Sequence, residues 1–194
     1  MKERRFHASQ AHRLEQPERL AWLPPAEIVA AAGAHPGDVI ADIGAGTGYF
    51  ALPLAQVAGP QGLVYAVDAQ QEMLDLLTEK LHAPGSGNIH LVQAEAEATG
   101  LPDRSCTLAF LANVWHEFDD RALVLAEVRR ILRPGGRIAI VDWRPDVERQ
   151  SGPPVEHRIP AERTQRELAA MGFASLSEAN VGKYHWLVLA ELTS

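Results

Sequence analysis

The sequence has few of the features that mark secreted, membrane-spanning or metal-binding proteins. Its 194 residues include one cysteine, Cys106, which cannot form a disulfide within the chain or supply a thiolate cluster for a metal. No stretch approaches the roughly 18 consecutive apolar residues that a bilayer span needs, and residues 1–16 are too polar for a signal peptide. These absences predict a cytoplasmic protein with no membrane span.

Positive charge is also scarce. Lys and Arg number 18 against 25 Asp and Glu, which gives a formal net charge of −7. A protein that binds nucleic acid needs a basic surface to neutralise phosphates, so we expect no nucleic-acid partner. Hydrophobic residues make up 46% of the chain and charged residues 22%, values typical of a globular protein that buries a large core.

Short apolar runs alternate with amphipathic helical segments along the chain. The runs predict strands at 39–43, 62–67, 89–93, 107–112 and 137–141, with helices at 49–57, 71–81 and 121–132. Most runs are almost continuously apolar, as strands covered on both faces are. Two further runs, 174–181 and 184–192, are separated only by Gly182 and Lys183, which predicts an antiparallel hairpin. The pattern predicts an α/β fold: a Rossmann-like three-layer sandwich whose mostly parallel seven-stranded sheet is closed by a C-terminal antiparallel hairpin.

Two segments outside this alternation define the predicted domain organisation. Residues 1–35 predict an N-terminal helical lead-in, which would cap a main domain of residues 36–194. The segment 142–160 is rich in Pro, Arg, Asp and Glu and is predicted to be a long surface loop. Long loops in small domains are usually functional or mobile, so both segments are candidate lids over a site.

The most informative segment is a glycine-rich turn between a predicted strand and a predicted helix. The strand 39–43 is followed by Gly44-Ala45-Gly46-Thr47-Gly48. Such a turn lets the backbone approach a ligand and exposes N–H groups at the start of the helix, which predicts a nucleotide-like ligand. Tyr49 occupies the position where the dinucleotide fingerprint needs a small residue, and no Lys-Ser or Lys-Thr pair closes a P-loop. An ordinary βα turn is the alternative interpretation.

An acidic residue followed by G-x-G-x-G resembles the first motif of class I S-adenosylmethionine-dependent methyltransferases. Together with the Arg-Pro-Gly-Gly segment at 133–138, it makes most of the chain similar to the small methyltransferases related to the ubiquinone and menaquinone biosynthesis enzymes. The resemblance implies that residues 36–194 form a methyltransferase domain and that the cofactor is S-adenosyl-L-methionine. In the family, the glycine turn lies against the methionine part of the cofactor and the acidic residue orders the turn. It thereby implies five cofactor-binding residues: Asp42, Gly44, Ala45, Gly46 and Gly48.

A second signal is Asp68, at the end of the second predicted strand. It lies about 20 residues after the glycines, where a carboxylate that accepts the ribose hydroxyls is expected. The alternative is a helix N-cap for the segment that starts near Gln71, and the two roles are compatible. By resemblance, Ala69 and Met73 would line the adenine side of the cofactor, although a methionine at this position also suits a helix core.

A third signal is the acidic loop at 93–97, directly after the third predicted strand. In the family, this loop carries an acidic residue that accepts the adenine amino group, and the next backbone N–H meets the ring. The resemblance assigns these roles to Glu95 and Ala96. Because the family more often has Asp at this position, Glu97 is a competing assignment, and a solvated acidic loop is the other interpretation.

The residues for chemistry are expected in the segment 113–120, after the fourth predicted strand, at the sheet edge where open α/β folds bind ligands. Methyl transfer is an in-line displacement, so the protein mainly aligns the acceptor and removes its proton where needed. We therefore predict His116 as the catalytic base or positioning group and Asn113 near the methionine end of the cofactor. A histidine satisfied by nearby backbone is the alternative. Asp142 and Asn113 supply too few oxygen ligands for a magnesium site, so no metal is predicted.

The predicted activity is transfer of a methyl group from S-adenosylmethionine to a small-molecule acceptor that the motifs do not identify. A protein that binds S-adenosylmethionine or S-adenosylhomocysteine without catalysis, as a regulator or assembly partner, is the first alternative. A nicotinamide-dependent oxidoreductase is the second, and Tyr49 with the G-x-G-x-G spacing argues against it. Aromatic and basic residues in the lead-in, the predicted loop and the hairpin suit a planar or anionic molecule. They are His7, Arg13, Trp22, Trp143, Arg144, His157, Arg158, Tyr184, His185 and Trp186.

Overall fold

The apolar runs of the sequence form a seven-stranded sheet in a computed structural model that describes residues 6–82, 86–147 and 152–193. Each predicted strand is present, with bounds that differ by a few residues at most except in the fifth. The strands are β1 Val39–Ile43, β2 Leu63–Asp68, β3 Ile89–Gln93, β4 Cys106–Ala112, β5 Leu132–Trp143, β6 Phe173–Val181 and β7 His185–Leu192.

The strand order is β3-β2-β1-β4-β5-β7-β6. Strands β1 to β5 pair in parallel, whereas β7 pairs antiparallel with both β5 and β6. The sheet is therefore mostly parallel and ends in an antiparallel pair, as the sequence predicts. Because the chain winds one way from β1 to β3 and the other way from β4 onward, a crevice opens where the carboxyl ends of β1 and β4 meet.

Within the described residues, six α-helices connect and cover the strands. They are α1 Arg19–Trp22, α2 Pro25–Ala31, α3 Ala51–Ala58, α4 Gln71–Thr78, α5 Arg121–Ile131 and α6 Ala161–Ala170, with 3₁₀ turns at Ala8–Arg13, Trp115–Glu117 and Val155–His157. The start of α5 is set by its N-cap Asp120, whose carboxylate accepts the N–H groups of Ala122 and Leu123 at 3.0 and 3.2 Å. Among the helices of the described ranges, none has both the length and the apolar content of a membrane span.

The core consists of two apolar layers, one on each face of the sheet. Along β4, Ala109 and Leu111 belong to the layer that packs around Trp115 and α5, whereas Leu108 and Phe110 belong to the layer under α2 and α3. All four residues of β4 are completely buried. Successive side chains of a strand point to opposite faces, so a sheet covered by helices on both sides requires the uninterrupted apolar runs seen in the sequence.

The region around β5 departs from the sequence prediction. Helix α5 ends at Ile131 and strand pairing begins at Leu132, so β5 starts five residues before the predicted strand at 137–141 and includes the Pro-Gly-Gly segment. The predicted surface loop at 142–160 is wrong at its start, because Asp142 and Trp143 belong to β5 and Asp142 is fully buried opposite Trp186. Composition alone assigned Asp142 to the surface, but its hydrogen bonds allow a carboxylate inside the sheet. The ranges 1–5 and 148–151 of the lead-in and the predicted loop lie outside the described residues.

Gly48 ends the glycine-rich turn and packs directly against Leu77 of α4, and its φ is +85°. A methyl group added at Gly48 would overlap the Leu77 side chain, whereas Gly37, with φ of +83°, has open space at the same position. Since both alanine variants carry the same backbone strain, we expect Gly48→Ala to lower the free energy of unfolding by about 1 to 3 kcal/mol more than Gly37→Ala. Urea denaturation of the two variants measures this difference, and equal losses would contradict the packing assignment.

Candidate functional site

A cavity of about 510 Å³ lies at the carboxyl ends of β1, β2 and β4. This volume is within the range of small-molecule and cofactor pockets. The cavity brings together residues from four loops, those that follow β1, β2, β3 and β4. The predicted site residues on its wall are Asp42, Gly44, Ala45, Gly46, Asp68, Ala69, Met73, Glu95, Ala96, Asn113 and His116, whereas Gly48 lies outside the wall.

The glycine turn is held between β2 and the segment that follows β4. The N–H groups of Gly44 and Ala45 both donate to the Val67 carbonyl, at 2.8 and 3.0 Å. Gly44 has φ of +79°, and a Cβ there would lie 2.5 Å from Cγ1 of Val114. Only glycine suits that position, since both the backbone conformation and the close approach of Val114 exclude a side chain.

Asp68 joins the glycine turn to the segment before α4. Its Oδ2 accepts the Gly46 N–H at 2.8 Å and its Oδ1 accepts the Gln70 N–H at 2.9 Å. The N-cap of α4 is Gln70, so Asp68 lies before the capping position that the alternative interpretation gave it. The Asp68 carboxylate also lines the cavity.

One wall of the cavity is apolar and carries a carboxylate at its edge. Met73 and Ala96 are buried in this wall, and Glu95 is exposed beside them. The Glu95 backbone carbonyl accepts the Ala98 N–H at 3.1 Å, which closes a short turn after β3. Glu97 does not reach the cavity wall, so the geometry favours Glu95 of the two competing acidic residues.

Two buried oxygen atoms on the cavity wall lack a hydrogen-bonding partner among the described residues: Oδ2 of Asp42 and Oδ1 of Asn113. Asp42 is 2% exposed, and burial, followed by the charge of Asp68, raises the pKa of its carboxyl to about 8. Asn113 has φ of +60°, and its N–H donates to the Val141 carbonyl at 2.8 Å. Because buried polar atoms are nearly always hydrogen-bonded, these two oxygens indicate a ligand that donates hydrogen bonds, such as an ammonium group.

His116 forms a dyad with Asp142. The backbone N–H of His116 donates to Oδ2 of Asp142 at 2.8 Å, and the ring atom Nδ1 of His116 lies 2.8 Å from Oδ1 of the same carboxylate. Burial by itself lowers the pKa of the imidazole, but the charge and the hydrogen bond of Asp142 outweigh it, so the pKa of His116 is raised from its ordinary value. With Nδ1 engaged by the carboxylate, the hydrogen-bonding pattern assigns its proton to Nδ1 and leaves Nε2 as the acceptor atom.

Glu117 adds a second titratable group to the cavity wall. Its Oε1 lies 4.0 Å from Nε2 of His116, and burial raises the pKa of its carboxyl to about 7. Sequence reasoning did not identify Glu117, and it considered Asp142 only as a metal ligand. The pairing of β4 with β5 brings Ala112 opposite Val141, which makes the segments after the two strands neighbours. Nothing in the sequence spacing signals that contact.

The lead-in covers the cavity and is hydrogen-bonded to its rim. The Gln70 side chain donates to the Phe6 carbonyl at 2.8 Å and accepts the Ala8 N–H at 3.0 Å. On the other side, Glu15 accepts a hydrogen bond from the Thr47 hydroxyl of the glycine turn and pairs with Lys80 at 2.7 Å. The cavity is thus partly covered by a segment that contacts both the turn and the start of α4.

The residues proposed from sequence to contact an acceptor divide into two groups. Five lie on the cavity wall: His7, Arg13, Trp22, Trp143 and His157. The other five are not on it and include Arg158, which donates to the carbonyls of Pro153, Arg144 and Val147, and Trp186, which donates to Ile159. Arg158 and Trp186 therefore support the segment that carries the wall residues. The remaining three are Arg144, Tyr184 and His185.

Comparison with known proteins agrees with this geometry. A family model described as a methyltransferase domain matches residues 41–140. A crystal structure described as an S-adenosylmethionine-dependent methyltransferase from Aquifex aeolicus superposes with a TM-score of 0.91 at 30% identity, covering 97% of this chain and 100% of that one. The similarity therefore includes the lead-in and the C-terminal strands as well as the central sheet.

This chain matches a smaller share of its curated relatives. A ubiquinone/menaquinone biosynthesis C-methyltransferase of Francisella tularensis subsp. tularensis is 35% identical over 118 residues, which are 60% of this chain and 47% of the relative. A protein of the same name from Francisella philomiragia subsp. philomiragia is 30% identical over 159 residues, or 81% of this chain and 62% of the relative. The chain thus spans about half to three fifths of these relatives.

The buried carboxyl of Asp42 predicts a pH-dependent stability. The folded protein holds this proton up to a pKa of about 8, whereas the unfolded chain loses it near pH 4. The folded state therefore binds more protons within that window, and the free energy of unfolding falls as the pH rises across it, by up to about 1.4 kcal/mol per pH unit. Asp42→Asn removes this contribution, so its stability should vary less between pH 5 and pH 8.

Denaturant titrations of the ligand-free protein at three pH values across this window test the expectation. Asp75→Asn, on the exposed face of α4, is the matched control and should keep the slope of the unchanged protein. Glu117 and His116 also have raised pKa values and leave a residual slope of the same sign in both variants. Identical slopes for Asp42→Asn and the control would show that Asp42 ionises freely.

Proposed function

The chain belongs to the class I S-adenosylmethionine-dependent methyltransferases, and from that premise we propose that it transfers the methyl group of S-adenosylmethionine to a planar small-molecule acceptor. The observation that carries the proposal is a cavity with two unsatisfied oxygen acceptors, Asp42 Oδ2 and Asn113 Oδ1, beside the glycine turn. The amino acid part of the cofactor carries an ammonium group that would donate to both. A positive charge there would also favour the ionised form of Asp42.

The remaining predicted contacts suit the nucleoside part of the cofactor. Asp68 lies on the cavity wall at the end of β2, directly beside the glycine turn, and this position suits a carboxylate that binds the ribose hydroxyls. Met73, Ala69 and Ala96 supply the apolar surface that an adenine ring needs, and Glu95 at its edge is the acceptor for the amino group. The order of these residues along the cavity matches a ligand with the nucleoside toward β3 and the amino acid toward β4.

The cofactor supplies an activated methyl group on a positively charged sulfur. In the proposed mechanism, His116 Nε2 accepts a proton from the acceptor while Asp142 holds the ring and stabilises its protonated form. Glu117, 4.0 Å from Nε2, adds a charge that favours the imidazolium. The lead-in covers part of the cavity and lowers the exposure of these groups to solvent, which strengthens their electrostatic effects. The acceptor is brought into line with the reacting carbon by the walls, since alignment is the main task of a methyltransferase.

The acceptor class follows from the cover of the cavity. Trp22 and Trp143 both lie on its wall, with ring centroids 5.7 Å apart, and Phe6 and Phe118 also contribute to it. Such a surface suits a planar ring. The relatives named for ubiquinone and menaquinone biosynthesis make hydroquinones and other planar phenols the first acceptors to test, although this chain spans only part of them. We further propose residues 36–194 as the methyltransferase domain, with residues 1–35 and the segment after β5 as its cap.

Cofactor binding through Asp68 is testable without an acceptor. Asp68→Ala should weaken the binding of S-adenosylhomocysteine by about 1 to 3 kcal/mol, the scale for hydrogen bonds to a charged group. Isothermal titration calorimetry measures this, with Asp75→Ala on the exposed face of α4 as the control. Thermal unfolding is recorded alongside, because Asp68 also holds the glycine turn. If the folded Asp68→Ala variant binds as tightly as the control, the ribose assignment fails.

The catalytic roles of His116 and Asp142 predict different effects. His116→Ala should lower kcat strongly while S-adenosylhomocysteine affinity changes little, because the ring acts on the acceptor. Asp142→Asn should move the acidic limb of the pH–rate profile to lower pH, since the carboxylate is what raises the pKa of His116.

The assay measures S-adenosylhomocysteine release with a panel of hydroquinones and phenols. His90→Ala, a histidine on the exposed side of β3, is the control and should match the unchanged protein. An unaltered kcat in His116→Ala would remove the histidine from the mechanism. Binding of the cofactor with no release from any acceptor would favour the alternative of a binding protein without catalysis.

A further inference from the structure

Arg19 is a buried cation on the wall of the cavity, contributed by the lead-in. It is 6% exposed, and burial lowers the pKa of its guanidinium to about 10. Its Nη1 donates to the Leu14 carbonyl at 3.1 Å, whereas its Nε is buried without a partner within the described ranges. The guanidinium therefore has an unpaired N–H donor at a position with little access to solvent.

The position of Arg19 is set by the glycine turn. The guanidinium carbon lies 3.9 Å from the centroid of the Tyr49 ring, and Tyr49 directly follows Gly48. The Tyr49 hydroxyl donates to the Leu23 carbonyl at 2.7 Å, which fixes the ring beneath the cation. Tyr49, the bulky residue that separates this turn from a dinucleotide fingerprint, thus forms a platform for a positive charge.

The described residues supply no carboxylate for this cation. The charge of Glu15 raises the pKa of Arg19, but Glu15 bonds to Thr47 and Lys80. Within the described residues, no ion pair within 4.0 Å joins Glu15 to Arg19. A buried charge without a partner is costly, and the planar fork of a guanidinium matches a carboxylate through two parallel hydrogen bonds. The arrangement indicates an anionic ligand group beside the turn.

We propose that Arg19 binds the carboxylate of the amino acid part of the cofactor. The inference rests on the proposed function, which supplies a cofactor whose amino acid end carries both charges. The carboxylate of that end would bind to Arg19. Its ammonium group would donate hydrogen bonds to the unsatisfied oxygens of Asp42 and Asn113. The lead-in then completes the cofactor site, so that cofactor and cap bind as one unit rather than the cap closing over the acceptor alone.

Three ligands separate the two charges in a binding experiment. S-Adenosylhomocysteine carries both the carboxylate and the ammonium group, its decarboxylated analogue keeps only the ammonium group, and 5′-methylthioadenosine has neither. In calorimetry, Arg19→Met should weaken S-adenosylhomocysteine binding about 10- to 100-fold and leave the affinities of the other two ligands essentially unchanged. Asn113→Ala, in contrast, should weaken both ligands that carry the ammonium group.

Matched variants keep the test decisive. Arg166→Met removes an equal charge from an exposed position of α6 outside the cavity wall and is the control, which should leave the ratio of the three affinities unchanged. Arg13→Met removes the other described arginine of the lead-in on the cavity wall and tests it as a competing partner of the carboxylate. Arg19→Lys keeps the charge without the planar fork, so its affinity for S-adenosylhomocysteine should lie between those of Arg19→Met and the unchanged protein. The ratio within one variant cancels any general loosening of the lead-in, which thermal unfolding reports separately.

The possible failures are distinguishable. An Arg19→Met variant that weakens all three ligands equally, or none, overturns the assignment of the carboxylate to Arg19. A larger effect in Arg13→Met overturns it in favour of the exposed neighbour. If the unchanged protein binds neither S-adenosylhomocysteine nor 5′-methylthioadenosine, the proposed function itself fails, and this inference fails with it.

Discussion

The carbonyl of Val67 and the carboxylate of Asp68 anchor the structure of the site. Together they accept three consecutive N–H groups, those of Gly44, Ala45 and Gly46, and so fasten the turn after β1 to the end of β2. The turn then stays open toward the crevice between β1 and β4 instead of folding onto the sheet. Every other part of the cavity, from the apolar wall at Met73 to the cap, is built around this fixed loop.

The buried polar groups fall into two classes that differ in function. Two groups away from the cavity are paired within the fold: Glu127 accepts the Thr99 N–H at 2.7 Å, and Arg137 pairs with Asp38 at 3.0 Å. On the cavity wall, Asp42 and Glu117 have raised pKa values caused by burial, and Asp42 also lacks a partner for Oδ2. Carboxyl groups with raised pKa values that cluster in one cleft are typical of a functional site. Burying them costs free energy, which a bound ligand can offset.

The cap is joined to the sheet by buried apolar side chains, such as those of Ile28 and Val29 in α2, and also by single hydrogen bonds near the cavity. Gln70 joins the lead-in to the segment before α4, Glu15 joins it to Thr47 of the turn, and the Trp22 carbonyl accepts the Lys183 N–H of the β6–β7 turn at 2.9 Å. Hydrogen bonds of this kind each contribute modestly, so a ligand that adds contacts to both sides would strengthen closure substantially. The cap is thus attached to the same turn that forms part of the cavity wall.

The sequence alone determined the fold class and the local elements of the site, because both depend on short-range patterns. Continuous apolar runs identified strands buried on both faces, and the glycine spacing with Tyr49 excluded other nucleotide folds. Only the tertiary structure showed the contacts between residues that are far apart in the sequence. Parallel pairing of β4 with β5 placed Asp142 against His116, 26 residues away, and folding of the lead-in placed Arg19 on Tyr49. Asp142 was misread as surface and Arg19 went unnoticed, since a polar residue reveals its burial only through partners that the fold supplies.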